Sequence, residues 1–338
     1  MGRWNLVVAC ACLGLLAWAF AADEKNVVSH PFVCTDMGKG KVLLVSKEGK
    51  IEWEYPAPGC TDVWRLANGN ILFTYTRGVK EVTPDTAERA GAARQVAWEY
   101  KAESGNEVFS CQPLEDGNVL VGEAGPCRLI EVDRQGQIKK EIKLTTVFLP
   151  QGTAGTAGLK AGHAAPAVGA KTLNQARAHG QFRICRKTSA GTYLVAHMAE
   201  RVVREYDEKG AVLRTIKVPG NVFSAIRLPD GNMLIACGDG HKLIEVDAKD
   251  NVVWQIGEND LPDNPLRFVA GVHRLANGDT VICNWGGHGF VGKQPQVFEV
   301  TRDKKVVWQV FDNQQFGAIS NIQVLDVDGD VTKGALLR

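Results

Sequence analysis

The chain has no HExxH or HxH spacing, no GxSxG elbow, no GxxxxGK followed by serine or threonine (Gly287 to Lys293 has the spacing, but Gln294 follows) and no CxxC pair. Those gaps remove the local signatures of zinc proteases, serine hydrolases and phosphate-loop nucleotide enzymes. Zinc ligation by cysteines is not expected either. Charge of one sign is equally scarce as a run. The 39 basic and 38 acidic residues leave a net charge of +1, so neither nucleic acid nor an anionic membrane is an expected partner. Amphipathic spacing of 3.6 residues is missing too, which excludes a helical solenoid.

What is there begins with a targeting signal. Arg3 precedes an almost wholly apolar run from Leu6 to Phe20. Ala19-Phe20-Ala21 then forms a small-x-small cleavage pattern, followed by Asp23, Glu24 and Lys25. This is the layout of a secretory signal peptide over residues 1–21. The run sits at the short limit for a membrane anchor, and the expectation is cleavage, no membrane span thereafter, and a periplasmic or secreted protein. Cys10 and Cys12 fall in this leader. The remaining cysteines, Cys34, Cys60, Cys111, Cys127, Cys185, Cys237 and Cys283, are odd in number. Disulfides are open to an exported chain, but the expectation is buried free thiols acting as small apolar groups.

Beyond the leader the chain repeats itself. One phrase is an apolar strand, a tight turn and a second strand, as in Trp64-Arg65-Leu66-Ala67-Asn68-Gly69-Asn70 running into Ile71-Leu72-Phe73. It recurs with turn glycines at Gly117, Gly231 and Gly278, more weakly at Gly191, and in degenerate form at Asp328-Gly329-Asp330. Asn-Gly and Asp-Gly are expected to supply the positive φ angles of a two-residue hairpin turn. A second phrase follows each first one. Its fullest form is Leu243-Ile244-Glu245-Val246-Asp247, a turn, then Val252-Val253-Trp254. Together they make four strands in about 40–50 residues, the period of a propeller blade.

Residues 42–53 match only the second phrase, and 319–331 only the first. The two ends therefore complement each other. The expected fold is all-β: a single β-propeller over residues 27–338, with blade phrases near 61–100, 107–143, 178–217, 222–256 and 269–310. A sixth blade is sewn from 319–331 and 34–54. The interval between Gly117 and Gly191 is nearly double that between Gly191 and Gly231, which leaves room for a seventh blade between 145 and 178. That stretch is rich in glycine and alanine and suits a loop better.

The Glu-Val-Asp … Gly … Val-x-Trp phrase resembles the quinoprotein-like, or PQQ-like, propeller repeat. The Arg-Leu-x-Asn-Gly-Asn phrase resembles arylsulfotransferase-like propellers. The resemblance implies that Trp53, Trp98, Trp254 and Trp308 pack neighbouring blades, with Lys140 and Arg214 in their place in two blades. It carries activity poorly. Quinone dehydrogenases of this type usually have more blades and an adjacent cysteine pair, which this chain lacks, so PQQ is not an expected cofactor. No motif places the arylsulfotransferase channel histidine on one residue here, and fold alone does not imply function.

Propeller geometry still ranks positions. The turns after the inner strands lie on the lower face. The longer loops, 145–178, 257–268 and 284–296, lie on the upper face, where function concentrates. Second strands end there at Asp36, Tyr75, Glu123, His197, Cys237 and Asn284. Inner strands add His179, Arg183 and, deeper, His273; loops add His241 and His288. Catalytic candidates are therefore His179, Arg183, His197, Glu123 and His273, and metal candidates are His197, Glu123 and Asp36. Two functions remain open. One is a binding or scaffold module of the bacterial cell envelope, taking a small molecule, glycan or protein on an upper face that presents Phe268, Trp285 and Phe290. The other is a channel-mouth hydrolase, lyase or group transferase. A quinone-dependent oxidoreductase is a distant third. A closed ring leaves no edge strand that demands pairing, so the expected state is a monomer.

Overall fold

The computed structural model describes residues 29–85, 95–146, 178–263, 265–333 and 337–338. The expected leader, and all but the ends of the 145–178 stretch, lie outside these residues. Six four-stranded antiparallel sheets form the blades of a β-propeller. Blades 1 to 5 follow in chain order within residues 63–101, 107–143, 185–217, 224–256 and 269–310. Blade 6 joins the inner strand Ile319–Val324 to Phe32–Asp36, Lys41–Val45 and Ile51–Pro56, so both ends of the described chain close the ring. No helix among the described residues is long and apolar enough to cross a membrane.

Both faces of each blade are apolar because each packs against a neighbour. The buried side chains accordingly fall into six clusters, one per blade interface. Blades 3 and 4, for example, meet through Leu194, Val203, Ala225, Ile235 and Val246. The outer strands, such as Val252–Ile256, are mostly exposed, as expected where one edge meets solvent.

The turn chemistry differs from expectation. At Leu66 to Asn70, the Leu66 amide donates to the Asn70 carbonyl at 2.9 Å and the Gly69 amide to the Leu66 carbonyl at 2.8 Å. Only the glycine has positive φ, at 79° for Gly69, 83° for Gly117, 88° for Gly231 and 90° for Gly278. This is a turn closed by a glycine bulge rather than a two-residue primed turn, in which both central residues would be left-handed. The residue before the glycine has a different task. Asn68, Asp116, Asp230 and Asn277 each accept the amide two residues on, at 2.9–3.0 Å. The Asp328-Gly329-Asp330 copy makes no such hairpin. Blade 6 takes its second strand from the N-terminal side, and its inner strand ends at Val324.

The blade-ending tryptophans reach into the next blade. The Trp98 indole donates to the Asp133 carbonyl at 3.2 Å and the Trp254 indole to the Arg302 carbonyl at 2.9 Å. Trp308 meets the His30 and Phe32 rings edge-on, and Trp53 packs among Val63, Ile71 and Phe73. Lys140 and Arg214 substitute ionic contacts with the next blade, to Glu208 and Asp250.

Inside five of the six interfaces the Glu at the place of the Glu-Val-Asp phrase binds a cation from the following blade. The pairs are Glu81 with Arg134, Glu131 with Lys187, Glu205 with Arg227, Glu245 with Arg274 and Arg302, and Glu299 with His30. Leu44 occupies this register position in blade 6, and that interface is apolar.

All seven cysteines among the described residues are buried and free. Burial raises every thiol pKa, to about 12 for Cys60, Cys127 and Cys237. Since the thiolate is the reactive form, the native protein is expected to leave all seven unmodified by Ellman's reagent and to release them together on denaturation. Fast native labelling of any of them would contradict this placement.

Candidate functional site

The polar residues ending the second strands act first as ties for the upper loops. The Asp36 carboxylate accepts amides from Lys39, Gly317 and Ala318 at 3.0, 2.7 and 3.1 Å, fastening the N-terminal strand to the start of the last inner strand. Glu123, fully buried, accepts the Tyr100 hydroxyl at 2.6 Å and Arg128 Nε at 2.7 Å. The Tyr75 hydroxyl donates to Glu99 at 2.8 Å. Asn284 accepts the Arg267 amide at 2.8 Å and donates to the Pro265 carbonyl at 3.0 Å, shaping the 257–268 loop. Cys237 is a buried thiol.

His197 is buried with Nε2 at 2.7 Å from the Tyr206 hydroxyl, which itself donates to the Thr145 carbonyl at 3.2 Å. Nε2 therefore carries the proton, and the Nδ1 lone pair is left without a hydrogen-bond partner, 3.9 Å from a Glu200 oxygen. Burial, reinforced by Arg204 and opposed by Glu200, lowers its pKa to about 4. His273 is deeper. Its Nδ1 accepts the Val324 amide at 3.3 Å, and burial, with Arg338 and His30 nearby, lowers its pKa to about 3. That acceptor caps an edge amide of the next inner strand, as Thr61, Trp64, Ser110 and Ser224 serve neighbouring edge carbonyls.

His179 and Arg183 do come together. The His179 ring lies edge-on to Phe109 with centroids 5.5 Å apart, and the Arg183 guanidinium sits 4.3 Å over the face of the same ring. Glu107 holds His179 Nδ1 at 3.2 Å. Burial, opposed by Glu107, brings Arg183 down to about 10. His197 and Glu123 are not joined: His197 is bound to Tyr206 of its own blade 3, and Glu123 of blade 2 to Arg128 and to Tyr100 of blade 1. Among the described residues no group of three or more His, Cys, Asp or Glu is close enough to hold a metal ion.

The upper-face loop at 284–296 builds an aromatic platform. Phe268 meets Phe223, Trp285 and His288 edge-on, with centroids 5.9, 4.8 and 5.8 Å away. Gly287 is obligatory, since a Cβ there would lie 2.0 Å from the Trp285 ring. Arg267 covers Phe290 at 5.1 Å, His288 is largely exposed, and Val291 is 53% exposed. His241 donates from Nδ1 to the Arg267 carbonyl at 2.5 Å, steadying the end of the adjoining 257–268 loop.

Sequence reasoning missed the charges on the channel axis. Asp62 is fully buried. Its oxygens accept Arg186 Nη1 and Nη2 at 2.7 and 2.9 Å, Asn321 Nδ2 at 2.9 Å, Ser110 Oγ at 3.2 Å and the Val63 and Cys111 amides at 3.1 Å. Below it opens a cavity of about 190 Å³ whose lining includes Trp64, Gln112, Arg186, Arg227, Leu337 and Arg338. Asp62 and Ser110 stand at the same offset before their turn glycines. Aligning inner strands as well as second strands would have exposed them.

A family model for Mal s 1 allergenic protein-like sequences matches residues 29–305. The chain belongs to this family. Among solved structures, it is similar to a protein of unknown function from Bacteroides caccae. That protein is 31% identical with a TM-score of 0.71, over 87% of this chain and 98% of the other. A catalytically inactive virginiamycin B lyase from Staphylococcus aureus, solved with quinupristin, is 13% identical with a TM-score of 0.51, over 85% of each chain. A streptogramin B lyase is 11% identical with a TM-score of 0.53, over 88% of this chain and 94% of the other. At those identities the lyases share the fold alone. Comparison with curated proteins finds no match. Within the Mal s 1-like family this chain thus presents an upper aromatic platform and, separately, a charged channel floor.

Proposed function

We propose that this chain is an exported, monomeric binding module of the bacterial cell envelope. Its ligand, a glycan, peptide or partner protein, is taken on the upper face by Trp285, His288 and Phe290. The observation that supports this reading is the aromatic platform itself. It is a set of rigid rings on a glycine-shaped loop, held by Phe223 and Phe268 beneath and bordered by exposed Val291. Such amphipathic anchors are what recognition surfaces use. Of the ionisable candidates only His179 and Arg183 come together, while Asp36, Glu123, His197 and His273 are tied to separate partners, and acid–base chemistry needs groups within reach of one reacting atom. The signal-like leader and the Bacteroides relative support the setting. The expected result on glycan and peptide arrays is loss of all saturable binding by a Trp285→Ala/Phe290→Ala double variant with an unchanged melting temperature. Retained binding would move the site elsewhere.

A second reading is favoured by one observation, the partnerless Nδ1 of His197 beside Glu200. In that reading His197 is an upper-face base or metal ligand. Metal analysis of the purified protein and of a His197→Ala variant separates the two. Stoichiometric metal lost in the variant would favour the enzyme.

A further inference from the structure

Leu337 and Arg338 enter the lower end of the channel much as a bound peptide would. The Leu337 carbonyl accepts the Arg274 amide at 2.8 Å in an isolated bridge, and its side chain packs on the blade 4–5 cluster. The Arg338 guanidinium lies 4.2 Å over the face of Trp64. Its Nε donates to the Ile322 carbonyl at 3.1 Å and its Nη2 to Asn321 Oδ1 at 3.4 Å. The Arg338 main-chain oxygen accepts Arg186 Nε at 2.6 Å. Asp62, fixed by six donors, supplies the opposite charge nearby. An aromatic face, carbonyl acceptors and a fixed carboxylate are together the elements of guanidinium recognition.

We propose that the lower channel mouth is a recognition site for an arginine-bearing peptide segment, held in this structure by the chain's own Leu337 and Arg338.

Three observations separate these residues from the propeller itself. All six sheets have their four strands, and the ring closes, without them. They touch the ring by one backbone bridge, by their two side chains and by the Arg338 main-chain oxygen. The fit is also incomplete. Arg338 Nη1 is buried without a hydrogen-bond partner, and burial, opposed by Asp62, lowers the guanidinium pKa to about 9. A buried donor left unmade carries a desolvation cost, so the segment is held less tightly than its contacts suggest and a competing segment can displace it. The cavity of about 190 Å³ beside it leaves a path of approach from below. The site lies on the face opposite the aromatic platform and stands whether or not that platform binds a ligand.

Chemical rescue in the full chain tests this. Ethylguanidinium at millimolar concentration is expected to raise the melting temperature of Arg338→Ala saturably by several degrees. It should leave wild type unmoved, and ethylammonium should have no effect on either. Arg338→Lys, which keeps the stem and charge but not the fork, is expected to melt several degrees below wild type. No rescue of a folded Arg338→Ala chain, equal stabilisation of wild type, or an Arg338→Lys chain that melts like wild type would each overturn the proposal.

Discussion

Replacing Glu245 by glutamine is expected to destabilise the propeller by about 3–5 kcal/mol, the usual cost of stripping one partner from a buried ion pair. Glu245 accepts Asn232 Nδ2 at 3.0 Å and Arg274 Nη2 at 3.1 Å, and also binds Arg302. Arg274 belongs to the next blade, and only 9% of its side chain is exposed. Its Nε already lacks a partner. Losing the carboxylate therefore leaves a buried cation facing a neutral amide between blades 4 and 5. The control is Glu205→Gln. Its partner Arg227 is more solvated, with 23% of its side chain exposed, so a loss of about 1 kcal/mol is expected there. Urea midpoints at constant slope measure both. Equal losses would mean that burial of the cation does not set the cost.

Acid is expected to begin destabilising the protein below pH 6.5, before its carboxylates titrate. His273 and His197 are neutral in the folded protein, with pKa values near 3 and 4 against an ordinary value of 6.5. A depressed folded pKa contributes stability that is present above pH 6.5 and lost as pH falls toward the folded value. Each unit of difference is worth about 1.4 kcal/mol. The two histidines together then remove roughly 5 kcal/mol by pH 4.5, a large share of the 5–15 kcal/mol typical of a domain. His30 works the other way. Burial lowers its pKa, but hydrogen bonds to Glu299 and Asp326 outweigh that and raise it, so its contribution is full below pH 6.5 and fades on the alkaline side. His273→Asn keeps an acceptor for the Val324 amide without a titrating ring. It is expected to move the acid midpoint, followed by circular dichroism, to lower pH. An unchanged midpoint would show that His273 does not govern acid stability.

Blade architecture was legible from the sequence because it is local. Each turn glycine needs a left-handed φ, and each strand pair brackets it. The blade count followed from complementary phrases at the two ends. The glutamate of the Glu-Val-Asp phrase was visible as a repeat, but its purpose was not. Its partner sits in the next repeat: Lys187, Arg227 and Arg274 stand four residues before their turn glycines, but Arg134 and His30 come from other positions, so no one spacing reveals the pairing. The upper-face polar residues were likewise found by position and misjudged by partner. Asp36 spends its oxygens on three amides, and His273 caps a strand edge. Phe268, Trp285 and Phe290 were visible as apolar residues in a loop. Their assembly depends on Gly287 yielding space to an indole, which no periodicity reveals. Asp62 and Arg186 were overlooked because inner strands share little consensus at the channel axis: Asp62, Ser110, Ile184, Ser224 and Gly271 stand at the same offset before their turn glycines.

The most direct test of the functional account sets the aromatic platform against the upper-face histidine on one ligand. Array binding is measured for wild type, Trp285→Ala/Phe290→Ala and His197→Ala, all verified as folded. The account predicts that the platform variant loses binding and His197→Ala keeps it. Binding that survives in the platform variant, or disappears with His197 alone, would contradict it.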